Sequence, residues 1–149
     1  MQEVSADKTG KFYVFLDGVT DPQNFGSILR SALFIGADGV IVNKDNACGL
    51  TATVSKVSSG ALEVMPLYSV KFVKPFLEEA TSKLNYKVIS TNISEDLSAG
   101  GDVIPINELV LSKDDNLLLV LGSEGEGVSN LITSLASQRV MIPPCLDPL

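Results

Sequence analysis

Three short stretches of this sequence carry residues whose types and spacing suit chemistry rather than packing alone. The first is "NFGSILR", residues 24 to 30, where Asn24, Gly26 and Arg30 sit on or beside an apolar stripe. The second is "LGSEGEGVS", residues 121 to 129, with glycines at 122, 125 and 127 and acids at 124 and 126. The third is "VMIPP", residues 140 to 144, which opens a proline-rich end. The chain has no histidine. Ser-His-Asp triads, Cys-His pairs and histidine general bases are therefore excluded. Proton handling falls to Asp, Glu, Lys, Tyr, Arg, the substrate or water.

The glycine stretch reads G-x-x-G-x-G. It is neither the dinucleotide fingerprint G-x-G-x-x-G nor a P-loop, since no Gly-Lys-Ser/Thr follows. That order, with Glu124 and Glu126 inside the loop, disfavours a nucleotide-dependent oxidoreductase and a nucleoside triphosphate. A cationic or zwitterionic ligand fits better, such as S-adenosyl-L-methionine with its sulfonium and ammonium groups. The same residues also make an ordinary tight strand-to-helix turn with solvated acids. Arg30 taken alone reads equally as half of a surface ion pair, and Asn24 as a hydrogen-bonding residue of a helix N-terminus.

The elements that must position these residues follow from periodicity. Residues 11–17, "KFYVFLD", form a buried strand. Asp21 is a good N-cap and Pro22 suits the first helical turn. Phe25, Ile28, Leu29, Ala32 and Leu33 then trace the core-facing stripe of a helix that Gly36 closes. A second strand is expected at 39–43, a short helix with a loop at 50–62, and a mostly helical segment at 69–85 with Pro75 near its first turn. Residues 86–92 read as a third strand, and 94–109 as surface loop with a short edge strand. "NLLLVLG", 116–122, is the most apolar run and the best central strand. A helix at 128–137 and a last strand at 139–143 complete the series. Alternation of strands and helices predicts an α/β fold, a mostly parallel sheet with helices on both faces. The carboxyl ends of such strands are where ligands bind.

The length of 149 residues suits one domain, and 45% apolar residues suit a buried core. The net charge of −7 disfavours a strongly basic nucleic-acid module, leaving room for a local patch. Cys48 and Cys145 lie far apart with no CxxC, so structural zinc is not expected and both read as reduced thiols. No apolar run is long enough to span a bilayer. The first residues, "MQEVSADKTGK", read as neither signal nor transit peptide.

Together the three stretches resemble the SpoU (TrmH-like) family of RNA ribose 2′-O-methyltransferases. "NFGSILR" matches the family's N-x-G-x-x-x-R, "LVLGSEGEGV" a strand running into G-x-E-G-x-G, and "VMIPP" the approach to a third motif. The resemblance covers nearly the whole chain from Phe12 onward. It implies a SPOUT-type trefoil-knot fold, a homodimer, S-adenosyl-L-methionine as methyl donor and RNA as substrate. The closest look is to enzymes acting on a guanosine of large-subunit ribosomal RNA, including mitochondrial ones, which makes a mitochondrial location the expectation and a cytoplasmic one the alternative. Neither metal nor membrane is implied. Arg30 becomes the catalytic arginine, with Asn24 and Glu124 as its catalytic companions. Leu121, Gly122, Ser123, Gly125, Gly127, Ile142, Pro143 and Leu149 become contacts to the donor. The third motif normally continues as Ser-Leu-Asn and a helix. Residues 1–149 are therefore expected to be a C-terminally truncated catalytic domain with an incomplete knot, lacking the family's N-terminal RNA-binding domain. The alternative is a catalytically inactive RNA- or protein-binding module that keeps the fold.

Overall fold

The Asp21 carboxylate accepts the Asn24 backbone N–H at 3.0 Å, and this cap starts the first helix. In a computed structural model of the chain, described for residues 9–92 and 102–143, that helix is α1, Pro22–Phe34. It follows strand β1, Phe12–Asp17, and Gly36 ends it in the left-handed region at φ 77°. The order continues with β2 (Gly39–Asn43), α2 (Ala52–Val57), α3 (Ala61–Val64), β3 (Leu67–Val70), α4 (Val73–Ser82) and β4 (Tyr86–Asn92). After these come β5 (Val103–Pro105), β6 (Asn116–Gly122), α5 (Asn130–Leu135) and β7 (Gln138–Met141).

The strands form one sheet in the order β3-β2-β1-β6-β4-β7-β5, and every pairing among the described residues is parallel. β6 lies at the centre, between β1 and β4, as its unbroken apolar run predicts. Alternate residues of β1 face opposite layers. Val14 and Leu16 pack with Phe25 and Leu29 of α1, Val54 of α2 and Ala61 of α3. Phe15 packs on the other side with Leu77 of α4, Ile132 of α5, and Val88, Leu118 and Val120 of the neighbouring strands. Helices therefore cover both faces.

Three expectations change. The segment 69–85 is not helical from its start, because Leu67–Val70 pairs with β2 as an edge strand. The strand is only four residues long, its burial does not alternate, and it lies just before a helix, so periodicity merges the two. Pro75 does fall in the first turn of α4. The 50–62 region holds two helices, broken where Ser59 (φ 52°) and Gly60 (φ 89°) turn the backbone. The helix expected at 128–137 spans only Asn130–Leu135, because the glycine loop consumes its first residues. The knot expected from the resemblance depends on chain around and past β7, and residues 144–149 lie outside the described ones.

Gly26 has a structural reason. A Cβ there would stand 2.8 Å from Val57 Cβ and 3.1 Å from the Val54 carbonyl oxygen, so glycine lets α2 press onto α1. Gly26→Ala should cost about 1–3 kcal/mol of stability by overpacking that contact. Urea unfolding of the two proteins measures the difference.

Candidate active site at the carboxyl edge of the sheet

β1 and β6 run side by side to their ends, where Asp17 pairs in register with Gly122. Beyond Gly122 the chain folds back at once. Ser123 N–H donates to Gly127 O at 3.2 Å, and Gly127 N–H returns to Ser123 O at 2.9 Å. Ser123 Oγ accepts the Glu126 N–H at 3.1 Å. A Cβ on Gly122 would fall 2.0 Å from the Gly127 carbonyl carbon, and Gly127 takes φ 70°. Both positions require glycine. Gly125 is different: nothing lies within 4 Å of a Cβ there, so it leaves open space at the tip.

Asp17 pins the loop from below. Its buried carboxylate accepts the Ser129 backbone N–H at 2.8 Å through Oδ2 and Asn46 Nδ2 at 3.3 Å through Oδ1. Asn46 Oδ1 in turn accepts the Gly18 N–H at 3.1 Å. One carboxylate thus ties together the loops after β1, β2 and β6. Cys48 sits nearby, and burial first, then the Asp21 carboxylate, push its thiol up, which leaves it protonated and a poor nucleophile.

Two adjoining cavities open along this edge. One, of about 550 Å³, is walled by the start of α1 (Asp21, Asn24, Ser27) and by Gly122, Ser123, Glu124 and Gly125. The other, of about 460 Å³, lies between Leu119, Leu121, Gly127, Val140 and Ile142, with Asn92 at its wall. Thr91, Leu121, Gly122 and Ser123 line both. Thr91 is held by its hydroxyl, which donates to Val120 O at 2.9 Å. The Asn92 side-chain oxygen is buried and has no hydrogen-bond partner among the described residues. A buried acceptor left in this way is costly unless a ligand donates to it.

Of the residues picked from sequence, Asn24, Glu124, Leu121, Gly122, Ser123 and Gly125 share the first cavity. Gly127 and Ile142 reach the second. Pro143 is exposed and lines neither, and Leu149 lies outside the described residues. Arg30 does not line the cleft. It is exposed in a separate groove with Ser31, Phe34 and Val57, and only Ser27 borders both. Helix geometry gives the reason. Asn24 and Arg30 are six positions apart, which puts them about 120° apart around the axis and ~9 Å apart along it. Sequence reasoning missed Asp17, Asn46, Thr91 and Asn92. Their common sign was available, since polar residues ending or following apolar strands gather at a ligand-binding edge. Among the described residues no group of His, Cys, Asp and Glu could hold a metal ion, and no helix is long and apolar enough to cross a membrane.

A parallel sheet whose glycine loop and opening helix border paired cavities at its carboxyl edge defines a ligand-binding α/β domain with acids, amides and apolar walls for a ligand. The chain belongs to the SpoU rRNA Methylase family, whose model matches residues 11–145. It is 37% identical over 153 residues to human mitochondrial rRNA methyltransferase 1, covering 96% of this chain and 42% of that protein. It is 36% identical over 143 residues to the 23S rRNA (guanosine-2′-O-)-methyltransferase RlmB of Haemophilus influenzae, covering 96% of this chain and 54% of that one. The chain thus spans about half the length of these relatives. Among solved structures, the SpoU methyltransferase AviRb from Streptomyces viridochromogenes, in complex with the cofactor AdoMet, superposes with a TM-score of 0.73. It is 26% identical, with 95% of this chain and 52% of that chain covered.

Gly122→Ala should open the loop at a cost of about 1–3 kcal/mol while sparing the sheet. Amide hydrogen exchange checks this: protection at Ser123 and Gly127 should collapse, and protection in β1 and β4 should persist.

Proposed function

We propose that this chain is the catalytic domain of an RNA ribose 2′-O-methyltransferase that uses S-adenosyl-L-methionine and acts on a guanosine of large-subunit ribosomal RNA. The observation that carries the reading is the meeting of the start of α1, the glycine loop and the end of β7 at one sheet edge. The relatives named for ribosomal RNA methylation support the substrate class. Resemblance to a mitochondrial enzyme favours that compartment.

The residues present fit the donor. The second cavity offers apolar walls from Leu119, Leu121, Val140 and Ile142 to a planar adenine, and the unpaired Asn92 oxygen accepts one of the donor's N–H or O–H groups. Glu124 brings a carboxylate to the first cavity, which favours a cationic centre there. When bound, S-adenosyl-L-methionine supplies a methyl on a sulfonium, already an excellent leaving group. Its methyl would pass to the ribose 2′-oxygen, with a neutral thioether left behind and the 2′-proton released. The protein's part is alignment and exclusion of water. Asn24 lines the same cavity as Glu124, which supports a role for its amide in holding the ribose.

Arg30 stays protonated near neutral pH and is better suited to clamping an RNA phosphate in bidentate fashion than to accepting a proton. Proton loss then goes to solvent or to a phosphate oxygen. The exposed Leu33, Phe34 and Ile35 border the Arg30 groove, and we assign them to the contact of a homodimer. A second reading, a binding module without transfer, draws on the separation of Arg30 from the cleft in a single chain.

Calorimetric titration with S-adenosyl-L-methionine, and transfer of labelled methyl to a ribosomal RNA fragment, test these assignments. Asn92→Leu should weaken donor binding about tenfold. Arg30→Lys should leave donor binding intact and lower turnover about tenfold or more. RNA binding without any transfer would favour the module. Phe34→Glu should halve the mass measured by sedimentation equilibrium, and an unchanged mass removes the assigned dimer contact.

A further inference from the structure

A chain of net charge −7 must still hold a polyanion if it methylates RNA, so its local cations matter. Lys11, Lys74, Lys83 and Lys87 each lie beside a carboxylate. Lys44 and Lys71 are exposed and have no such partner among the described residues. Both leave the sheet at its carboxyl edge. β2 ends at Asn43 and β3 at Val70, and the Lys44 N–H donates to Val70 O at 2.9 Å, which holds the two exits side by side.

The next residue is Phe72. It occupies the N-cap position of α4, where Ser, Thr, Asp or Asn ordinarily stands, and it makes no side-chain capping bond. It is 69% exposed, so it contributes little to the core either. Lys71 Nζ lies over its ring, 5.5 Å from the centroid. An exposed aromatic face beside an ammonium is the pairing that holds single-stranded nucleic acid, the ring taking a base and the ammonium a phosphate. Asp45, exposed beside Lys44, reduces the local charge of this trio to a net positive one, against an acidic background.

The location connects to the cleft. Asn46, on the loop that follows Lys44, bonds to Gly18 and Asp17 at the base of the first cavity. Two strand spacings, roughly 10 Å, separate β1 from β3. That distance would bring nucleotides next to a ribose held in the cleft within reach of this edge.

We propose that Lys44, Lys71 and Phe72 form a subsite for single-stranded RNA flanking the target nucleotide, with Phe72 stacking on a base and the two lysines meeting its phosphates. This rests on the methyltransferase reading above. The probe is a labelled single-stranded RNA of mixed sequence, followed by fluorescence anisotropy over a range of salt. Phe72→Ala should weaken binding about tenfold. The Lys44→Ala/Lys71→Ala double variant should flatten the slope of log affinity against log salt by about 1.4. Titration with S-adenosyl-L-methionine should match the parent in both cases, which also reports that the variants fold. If the parent binds and methylates RNA while the variants keep its affinity, the subsite is overturned and the function stands. A parent that neither binds RNA nor transfers methyl overturns both. An equal loss in Phe72→Ala on a fully base-paired hairpin, whose bases are already stacked, overturns the stacking role.

Discussion

The site depends on one close approach of backbone to backbone. Gly122 ends the central strand against the carbonyl of Gly127, at a separation no side chain permits. That contact forces the chain into a loop of a few residues, with Glu124, Gly125 and Glu126 at its tip. The loop alone would be a loose hairpin, since two backbone hydrogen bonds offset little of the entropy of ordering it. Asp17 supplies the remainder by holding the Ser129 N–H from the neighbouring strand. The lip of the cleft is therefore built from two adjacent strand ends, and its position follows from the β1–β6 register.

Much of this architecture was legible in residue patterns. The apolar run of 116–122 identified the central strand because a strand buried on both faces needs no polar alternation. The Asp21-Pro22 start and Gly36 stop bracketed α1 because caps act locally. β3 was not legible. Its four residues gain their structure from pairing with β2, a non-local contact that leaves no periodic trace. Within the site, glycines announced the loop, whereas Asp17 and Asn46 showed only as polar residues ending or following apolar strands, because their roles lie in hydrogen bonds between segments 28 residues apart or more.

The first motif illustrates a different limit. Spacing in sequence treats Asn24, Gly26 and Arg30 as a unit, but the helix splits them: Gly26 and Arg30, four residues apart, share one side, and Asn24 points elsewhere. Asn24 faces the cleft, Gly26 faces α2 and Arg30 faces the outer groove. Gly26 serves packing: without the close approach of α2, the groove wall formed by Val57 and Ser58 would stand farther from Arg30. A motif can thus be continuous in sequence and still divide its work among a cavity, a helix contact and a surface.

The acidic character of the chain fits this division. Glu124 and Glu126 on the exposed loop favour a cationic ligand and repel a polyanion within the same short range. With a screening length of about 8 Å at physiological salt, both effects fade within a few strand spacings. A carboxylate at the mouth of the first cavity acts on whatever enters it. It is nearly silent at the β2–β3 edge, two strands away, where Lys44 and Lys71 stand. A protein with net negative charge can therefore present opposite potentials at neighbouring points of one sheet edge. Which point a charged ligand prefers is decided by strand order, because strand order sets the distances that solvent must screen.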